Sequence, residues 1–234
     1  MSNTQLQQNS EVRLDESEIS ASLSSEDDET FDPTLPSHIA KDTDKKLDFN
    51  HGQFPYRNIT IQNTKDNSIL YFADVSVFAA KLPDVTLHAN GSDGPVIGAS
   101  RFRFSRSMKF GIGDGSDRDL SMLHWIDLKN SGTLLKKKLQ FELDGKLYCL
   151  LRSREGLSRI KTTMTTHFKI VEKASGTVVA YYVSKWSPGR RRGTLTLESG
   201  MSQQLETVIV LVIVSVGEKR RRRIASGGGN GGGN

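Results

Sequence analysis

The sequence predicts a mainly β fold of short antiparallel strands, and three features of the chain indicate it. Apolar residues recur with a period of two through much of residues 57–198, which is typical of strands that bury one face. Turn-forming pairs such as Asp144-Gly145 and Pro188-Gly189 separate the apolar runs. No crossover helices are predicted between the strands, so a parallel βαβ architecture is excluded. These three observations leave a barrel or a sandwich as the predicted architecture.

Ten strands can be placed on this pattern. The clearest pair is the hairpin at residues 139–151, where two alternating runs flank the Asp144-Gly145 turn. In chain order, the predicted strands are residues 57–62, 69–77, 85–89, 96–104, 108–112, 134–143, 146–153, 165–172, 177–185 and 194–198.

The two ends of the chain differ from this body in composition. Residues 1–48 carry 12 acidic and 4 basic side chains, whereas the remaining residues carry 28 basic and 15 acidic ones. Few large apolar side chains precede residue 50, so burial cannot offset the entropy lost on ordering that segment. The composition predicts a disordered acidic tail over residues 1–50, a folded body over residues 51–224 and a flexible Gly/Asn tail over residues 225–234.

The cysteine content and the first residues indicate the compartment. Cys149 is the single cysteine, and residues 1–30 contain no basic segment followed by an apolar run. One thiol cannot form an internal disulfide or a CxxC site, and the missing signal pattern argues against secretion. A cytoplasmic protein is therefore expected.

Residues 205–216 are the most apolar segment of the chain. Residues 208–214 are uninterrupted valine, isoleucine and leucine, Glu206 precedes them, and one lysine and four arginines follow at residues 219–223. The run is shorter than the roughly 20 residues that cross a bilayer, so no transmembrane span is expected, and a tail anchor is a minor alternative. The β-branched residues favour a central strand, whereas apolarity on every side favours a fully buried helix. Composition alone does not decide between strand and helix.

An antiparallel body that ends in one very hydrophobic segment and a basic run resembles the tubby C-terminal-like superfamily. That superfamily includes tubby proteins, plant LURP-one-related proteins and phospholipid scramblases. The residues that carry the resemblance are 195–201 (LTLESGM), 205–214 (LETVIVLVIV) and 218–221 (EKRR), and they are most similar to uncharacterised fungal members. The resemblance covers about residues 50–224 and implies a closed barrel of about 12 strands around a C-terminal hydrophobic helix. The interior of a barrel of that width is too wide for its own side chains to fill, so an apolar helix is a suitable filling for it.

Sequence patterns typical of enzymes are weak. No GxSxG, Walker or HExxH pattern occurs, and the five histidines are scattered without metal-ligand spacing. They are His38, His51, His88, His124 and His167. The glycine-rich residues 111–115 are interpreted as a loop, and Asp114, Asp117 and Asp119 resemble only half of a calcium loop. The sequence therefore predicts no catalytic residue, no cofactor and no bound metal.

Clustered basic residues are the stronger functional signal, because lysine and arginine side chains can grip phosphate groups. Each cation near an anionic membrane contributes about 1 kcal/mol to binding. Strand alternation predicts that Arg101 and Arg103 share a face opposite Phe102, and that Arg152 and Arg154 are on the same side of their strand. The candidate ligand-binding residues are Arg101, Arg103, Lys136, Lys137, Lys138, Arg152, Arg154, Arg190, Arg191 and Arg192.

These observations predict a non-enzymatic barrel that binds anionic phospholipid headgroups, phosphoinositides in particular, or a partner protein. The resemblance implies the same ligand, since tubby proteins bind phosphoinositides through barrel lysines and arginines, although those positions do not align residue by residue with this chain. Nucleic acid is the main alternative partner, because a basic surface binds any polyphosphate and residues 219–223 could serve as a nuclear localisation run. Peripheral membrane and nuclear locations are thus alternatives to a purely cytoplasmic one. A scramblase-like lipid protein and a structural interaction barrel without a small ligand are further alternatives.

Overall fold

A computed structural model describes residues 44–52, 58–76, 82–102, 107–113, 120–130, 139–153, 167–187 and 190–227. At residues 121, 130, 152–153, 185–187, 190–192 and 224–227 it describes the backbone alone. Residues 1–43 of the predicted acidic tail, and the Gly/Asn tail from residue 228 onwards, lie outside the described residues.

The described residues form a closed barrel of twelve antiparallel strands with one C-terminal helix, α1. This architecture confirms the predicted fold class. Strands that follow each other in the chain pair with each other, and β1 closes the barrel by pairing with β12. A 3-10 turn at Leu120–Met122 precedes β7. The elements are β1 (Lys45–His51), β2 (Ile59–Asn63), β3 (Ile69–Val75), β4 (Val85–Ala89), β5 (Val96–Phe102), β6 (Met108–Ile112), β7 (His124–Asn130), β8 (Leu139–Leu143), β9 (Lys146–Ser153), β10 (His167–Glu172), β11 (Val178–Ser187), β12 (Arg190–Leu197) and α1 (Gln203–Gly227).

The predicted hairpin around Asp144-Gly145 is present as β8 and β9. Both turn residues have positive φ angles, 51° and 72°, as the commonest two-residue hairpin turn requires. Phe141 and Tyr148 face each other across the two strands, and their rings stack with centroids 5.2 Å apart. The turn chemistry and the cross-strand pair therefore specify the same register.

The apolar segment of the chain is a helix enclosed by the barrel. Residues 208–212 are all 0% exposed, which a helix can achieve only if it is surrounded on every side. They belong to one apolar cluster with strand residues such as Ile61, Phe110 and Leu195. Burying each large side chain contributes about 1.5–3 kcal/mol before entropy is counted. Within the described residues, no helix has both the length and the apolarity needed to cross a membrane.

A glycine allows α1 to approach the barrel wall closely. A Cβ atom at Gly98 would lie 3.2 Å from Cδ2 of Leu211 and 3.2 Å from the carbonyl oxygen of Gly111. One turn further along the helix, the buried hydroxyl of Ser215 donates a hydrogen bond to that of Ser100 at 2.7 Å. The helix thus packs against β5 and its neighbours β4 and β6.

The direction of α1 distinguishes the two ends of the barrel. At its start, Glu206 contacts Lys45 and Tyr71, and near its end Arg222 contacts Asp84. We name these the entry end and the exit end. Odd-numbered strands run from the entry end to the exit end, and even-numbered strands run back.

Two strands were not predicted, and one of them moves a domain boundary. The acidic tail was predicted to reach residue 50, but β1 already forms part of the closed barrel from Lys45. Its two apolar residues, Leu47 and Phe49, are fully buried, yet charged neighbours hide them in the sequence. The second missed strand, β7, likewise has an apolar face of only Ile126 and Leu128.

Several predicted element ends also need correction. β12 begins at Arg190, four residues before the predicted start. Its first residues were missed because three consecutive arginines lack the apolar alternation that predicts a strand. Gly111 and Ile112 were included both in the predicted strand 108–112 and in the glycine-rich loop 111–115, and the structure confirms the strand, since they are the last residues of β6. The predicted strand residues 57, 77, 103–104, 134–138 and 165–166 lie outside the described residues.

Candidate functional site

The connections at the two ends of the barrel differ sharply in charge. The six connections between strands that meet at the exit end contain ten basic and two acidic residues in sequence. The basic residues are Arg57, Lys81, Arg103, Arg106, Lys136, Lys137, Lys138, Arg154, Arg159 and Lys161, and the acidic ones are Asp84 and Glu155. The connections that start from the entry end contain three basic residues (Lys65, Arg118, Lys173) and seven acidic ones (Asp66, Asp93, Asp114, Asp117, Asp119, Asp144, Glu198).

The predicted cations that belong to described strands lie near strand ends at the exit end. Arg101 is the second-last residue of β5, Arg152 is the second-last residue of β9, and residues 190–192 open β12. Arg103, Arg154 and residues 136–138 lie outside the described residues. In the amino-acid sequence, each of these segments directly follows or precedes one of the strand ends at the exit end.

The strand register gives the residues that lie opposite the predicted cations of β9 and β12. Arg152 pairs with Phe168, and Arg190, Arg191 and Arg192 pair with residues 187, 186 and 185 of β11. The predicted same-sided placement of Arg103 with Arg101, and of Arg154 with Arg152, falls on residues outside those described. Arg101 itself is exposed and its neighbour Phe102 is half-buried, so the predicted alternation holds at that point.

Beside Arg101, the outer face of β5, β6 and β7 carries a cationic and aromatic patch that the sequence did not reveal. The guanidinium of Arg101 lies 5.4 Å from the ring centroid of Trp125. In the strand register, Lys109 of β6 lies opposite Arg101 of β5 on one side and opposite Asp127 of β7 on the other. The Lys109 ammonium is 3.9 Å from the Asp127 carboxylate. We call Arg101, Lys109, Trp125 and Asp127 the flank patch.

A glycine makes room for the aromatic residue of the flank patch. A Cβ atom at Gly111 would lie 2.8 Å from Cβ of Leu123 and 3.1 Å from Cε2 of Trp125. The indole therefore occupies space over a position that has no side chain. The signal in the sequence was the glycine within the predicted strand 108–112, but without β7 its neighbour could not be identified.

The basic residues 219–223 near the end of α1 include side chains that contact strand ends and connections of the barrel. Arg222 contacts Asp84 at 2.5 Å and Glu218 at 2.9 Å, and Arg221 also contacts Glu218. Lys219 donates to the carbonyl oxygen of Ser107 at 3.0 Å. These contacts give part of the run an internal structural role, which the nuclear localisation interpretation did not anticipate.

The entry end has a different arrangement, in which one buried carboxylate is fully supplied with donors. Glu206 accepts hydrogen bonds from Lys45 at 2.7 and 3.0 Å and from the Tyr71 hydroxyl at 2.6 Å. Gln203 donates to the Tyr71 hydroxyl at 2.8 Å. Burial, reinforced by the Glu206 carboxylate, raises the pKa of Tyr71 above its ordinary value.

An open cleft of about 990 Å³ lies next to this hydrogen-bonded group. Its apolar lining includes Leu70, Ile97 and Met122, and Gln203 and Gln204 of α1 contribute polar groups. Arg101, the predicted cation whose side chain the structure describes, does not line it. The cleft lies beside the start of α1 at the entry end, whereas Arg101 lies near the exit end of β5.

Among the residues that the structure describes, no group of three or more His, Cys, Asp or Glu side chains could hold a metal ion. His167 is the first residue of β10 and is buried. Asp114, Asp117 and Asp119, the half calcium loop of the sequence, lie outside the described residues.

Comparison with known proteins gives one structural similarity. The chain is similar to a protein from Arabidopsis thaliana solved by X-ray crystallography, with a TM-score of 0.44 and 15% sequence identity over 73% of this chain and 91% of that one. No protein-family model matches the sequence. No curated protein matches it either.

Proposed function

We propose that this protein is a non-enzymatic, tubby-like barrel that binds anionic phospholipid headgroups, phosphoinositides above all, at its exit end. The observation that carries the proposal is the charge asymmetry of the connections, ten basic and two acidic residues at the exit end against three and seven at the entry end. Arg101, Arg152 and Arg190 are more than 30 residues apart in the chain, and each lies near a strand end at the exit end because consecutive strands alternate in direction.

The magnitude of the attraction is sufficient for peripheral binding. Each cation near an anionic leaflet contributes about 1 kcal/mol. Four engaged cations would therefore contribute about 4 kcal/mol, roughly a thousand-fold in partitioning. Because the acidic entry end would face away from the membrane, the same asymmetry would also fix the orientation of the barrel.

Phosphoinositides are favoured over singly charged lipids by the kind of cation present. Arginine presents a planar fork that binds phosphate through two parallel hydrogen bonds, and Arg101, Arg103, Arg154 and residues 190–192 supply several such groups. The resemblance to the tubby superfamily supports the same ligand. A cytoplasmic protein that associates reversibly with membranes follows from this proposal.

Liposome flotation would test the proposal. Vesicles containing a phosphoinositide and vesicles containing phosphatidylserine at equal surface charge would be compared from about 50 to about 500 mM salt. We expect tighter binding to the phosphoinositide vesicles throughout, and competition by the soluble inositol phosphate headgroup. Equal binding to both vesicles would contradict the proposal, and tighter binding to duplex DNA or RNA in a parallel titration would favour the nucleic-acid alternative.

A further inference from the structure

The last turns of α1 are bound to both ends of the β3–β4 connection. Arg222 contacts the carboxylate of Asp84, which directly precedes β4, at 2.5 Å. Its other guanidinium nitrogen donates to the carbonyl oxygen of Ser76, which directly follows β3. One arginine side chain thus joins the point where the chain leaves β3 to the point where it enters β4.

The same group extends to the β5–β6 connection. The second carboxylate oxygen of Asp84 accepts a hydrogen bond from the backbone N–H of Phe102, the last residue of β5, at 2.6 Å. Lys219 donates to the carbonyl oxygen of Ser107, which directly precedes β6. The Phe102 ring lies 5.0 Å from the Arg222 guanidinium and 5.9 Å from the Lys219 ammonium.

These contacts lie beyond the part of the helix that the barrel core holds. Residues 208–214 are almost completely buried, so apolar packing already fixes α1 in place. The side chains of Arg222 and Asp84 are each about one quarter exposed, and in a partly buried ion pair the cost of desolvating the two charges offsets much of their attraction. Stability alone therefore does not account for a residue that reaches three separate groups at the exit end.

We propose that Arg222 and Asp84 are positioning residues for headgroup binding, which hold four strand ends of the exit end in one arrangement. This inference rests on the proposed function and adds a role for residues that do not themselves contact the ligand. Lys219 and Phe102 complete the group, which we call the exit clamp. The exit clamp joins the ends of β3, β4, β5 and β6, and between those ends the amino-acid sequence carries the cations Lys81, Arg103 and Arg106.

Variants at Asp84 and Arg222 test this inference, because the change in net charge and the loss of positioning predict different effects on vesicle binding. Asp84→Asn makes the protein more positive, so long-range attraction alone predicts about fivefold tighter binding to any anionic vesicle. If Asp84 is a positioning residue, the preference for phosphoinositide over phosphatidylserine vesicles of equal charge should instead fall at least fivefold. Arg222→Gln should reduce the preference in the same way. The control is Arg223→Gln, an equal change of charge at an exposed position, which should weaken binding to both kinds of vesicle equally and leave the preference unchanged.

Amide hydrogen exchange at Phe102, which donates to Asp84, would report the loosened clamp directly, and melting curves would show that the variants fold. Unchanged preference in Asp84→Asn and Arg222→Gln, with faster exchange at Phe102, would overturn the inference while leaving the proposed function intact. Absence of any phosphoinositide preference in the unmodified protein would refute the proposed function, and the inference with it. Should Arg222→Gln fail to fold, Asp84→Asn alone decides, because its added positive charge leaves the preference between the two vesicles unchanged, whereas loss of positioning lowers that preference.

Discussion

At the scale of single residues, Glu206 shows how a carboxylate is accommodated at the start of the most apolar segment. It is 6% exposed, and an unpaired buried charge would cost several kcal/mol. Lys45 and Tyr71 together donate three hydrogen bonds to it, and its place in the first turn of α1 suits the helix dipole. The sequence revealed the charge but not its partners, which lie 161 and 135 residues away.

Replacing Tyr71 by phenylalanine tests this arrangement. The change removes one donor to a buried carboxylate, so the free energy of unfolding at neutral pH should fall by about 1.5–3 kcal/mol. Urea unfolding would measure the loss, and Tyr148→Phe, at a buried position on β9 where the ring stacks on Phe141, provides the control. A loss no larger than that of the control would show that the Tyr71 hydroxyl contributes nothing specific.

The same residue predicts a pH dependence with a definite sign. The pKa of Tyr71 is raised above 10.0 in the folded protein by burial and by Glu206. Stability that depends on the protonated phenol is fully present below pH 10 and is lost as the pH rises towards the folded-state pKa. Above pH 10, the free energy of unfolding should therefore fall more steeply in the unmodified protein than in Tyr71→Phe. Parallel alkaline curves for the two proteins would contradict this prediction.

At the scale of elements, the sequence was informative wherever alternation was strong and turns were explicit. β4, β6 and β9 have the predicted bounds. β1 and β7 were missed because each has a short apolar face among charged residues, Leu47 and Phe49 in β1 and Ile126 and Leu128 in β7. The helical state of residues 205–216 could not be decided from composition, because β-branched residues favour strands and only enclosure by the barrel makes the helix the better solution.

Val212→Asp tests whether α1 is part of the core. Val212 is 0% exposed, and a carboxylate there faces a desolvation cost of several kcal/mol against a total stability of about 5–15 kcal/mol. We expect no cooperative unfolding and no near-ultraviolet circular dichroism signal, whereas Gln204→Asp, an exposed site on the same helix, should fold normally. Truncation after Gly200 should likewise give aggregated protein. A truncated chain that melts cooperatively would identify the segment as an anchor outside the fold.

Gly98 tests the contact between helix and wall. Gly98→Val should destabilise the protein by about 1–3 kcal/mol through overpacking against Leu211. Adding Leu211→Ala to this variant should cost less than the same change costs in the unmodified protein, because the two side chains compete for one space. Additive losses, measured by chemical unfolding, would contradict the contact.

The position of β1 tests the corrected boundary of the barrel. Deleting residues 1–43 should leave the melting temperature nearly unchanged, because that segment is acidic and poor in apolar residues. Deleting residues 1–51 removes β1 and leaves β2 and β12 with open edges, so that protein should aggregate. Normal melting after the longer deletion would show that β1 is dispensable.

At the scale of the whole molecule, the candidate site follows from topology and could not be read from any local motif. Residues 101–103, 136–138, 152–154 and 190–192 are separate clusters in the sequence, and no single cluster differs in sequence from an ordinary charged segment of a basic protein. Only the order of twelve strands shows that Arg101, Arg152 and residues 190–192 lie near strand ends at the same end of the barrel. The flank patch required β7, and the contacts of Arg222 required the path of α1, so neither could be predicted.

The most direct test of the central claim is a matched pair of charge reversals at the two ends. Lys137→Glu with Lys138→Glu changes the exit end, and Lys65→Glu with Lys173→Glu changes the entry end by the same net charge. In flotation with phosphoinositide vesicles, the exit-end variant should bind at least 30-fold more weakly, since two cations contribute about 2 kcal/mol, while the entry-end variant should change by less than about threefold. Equal losses in both variants, with both proteins melting normally, would contradict a binding site at the exit end.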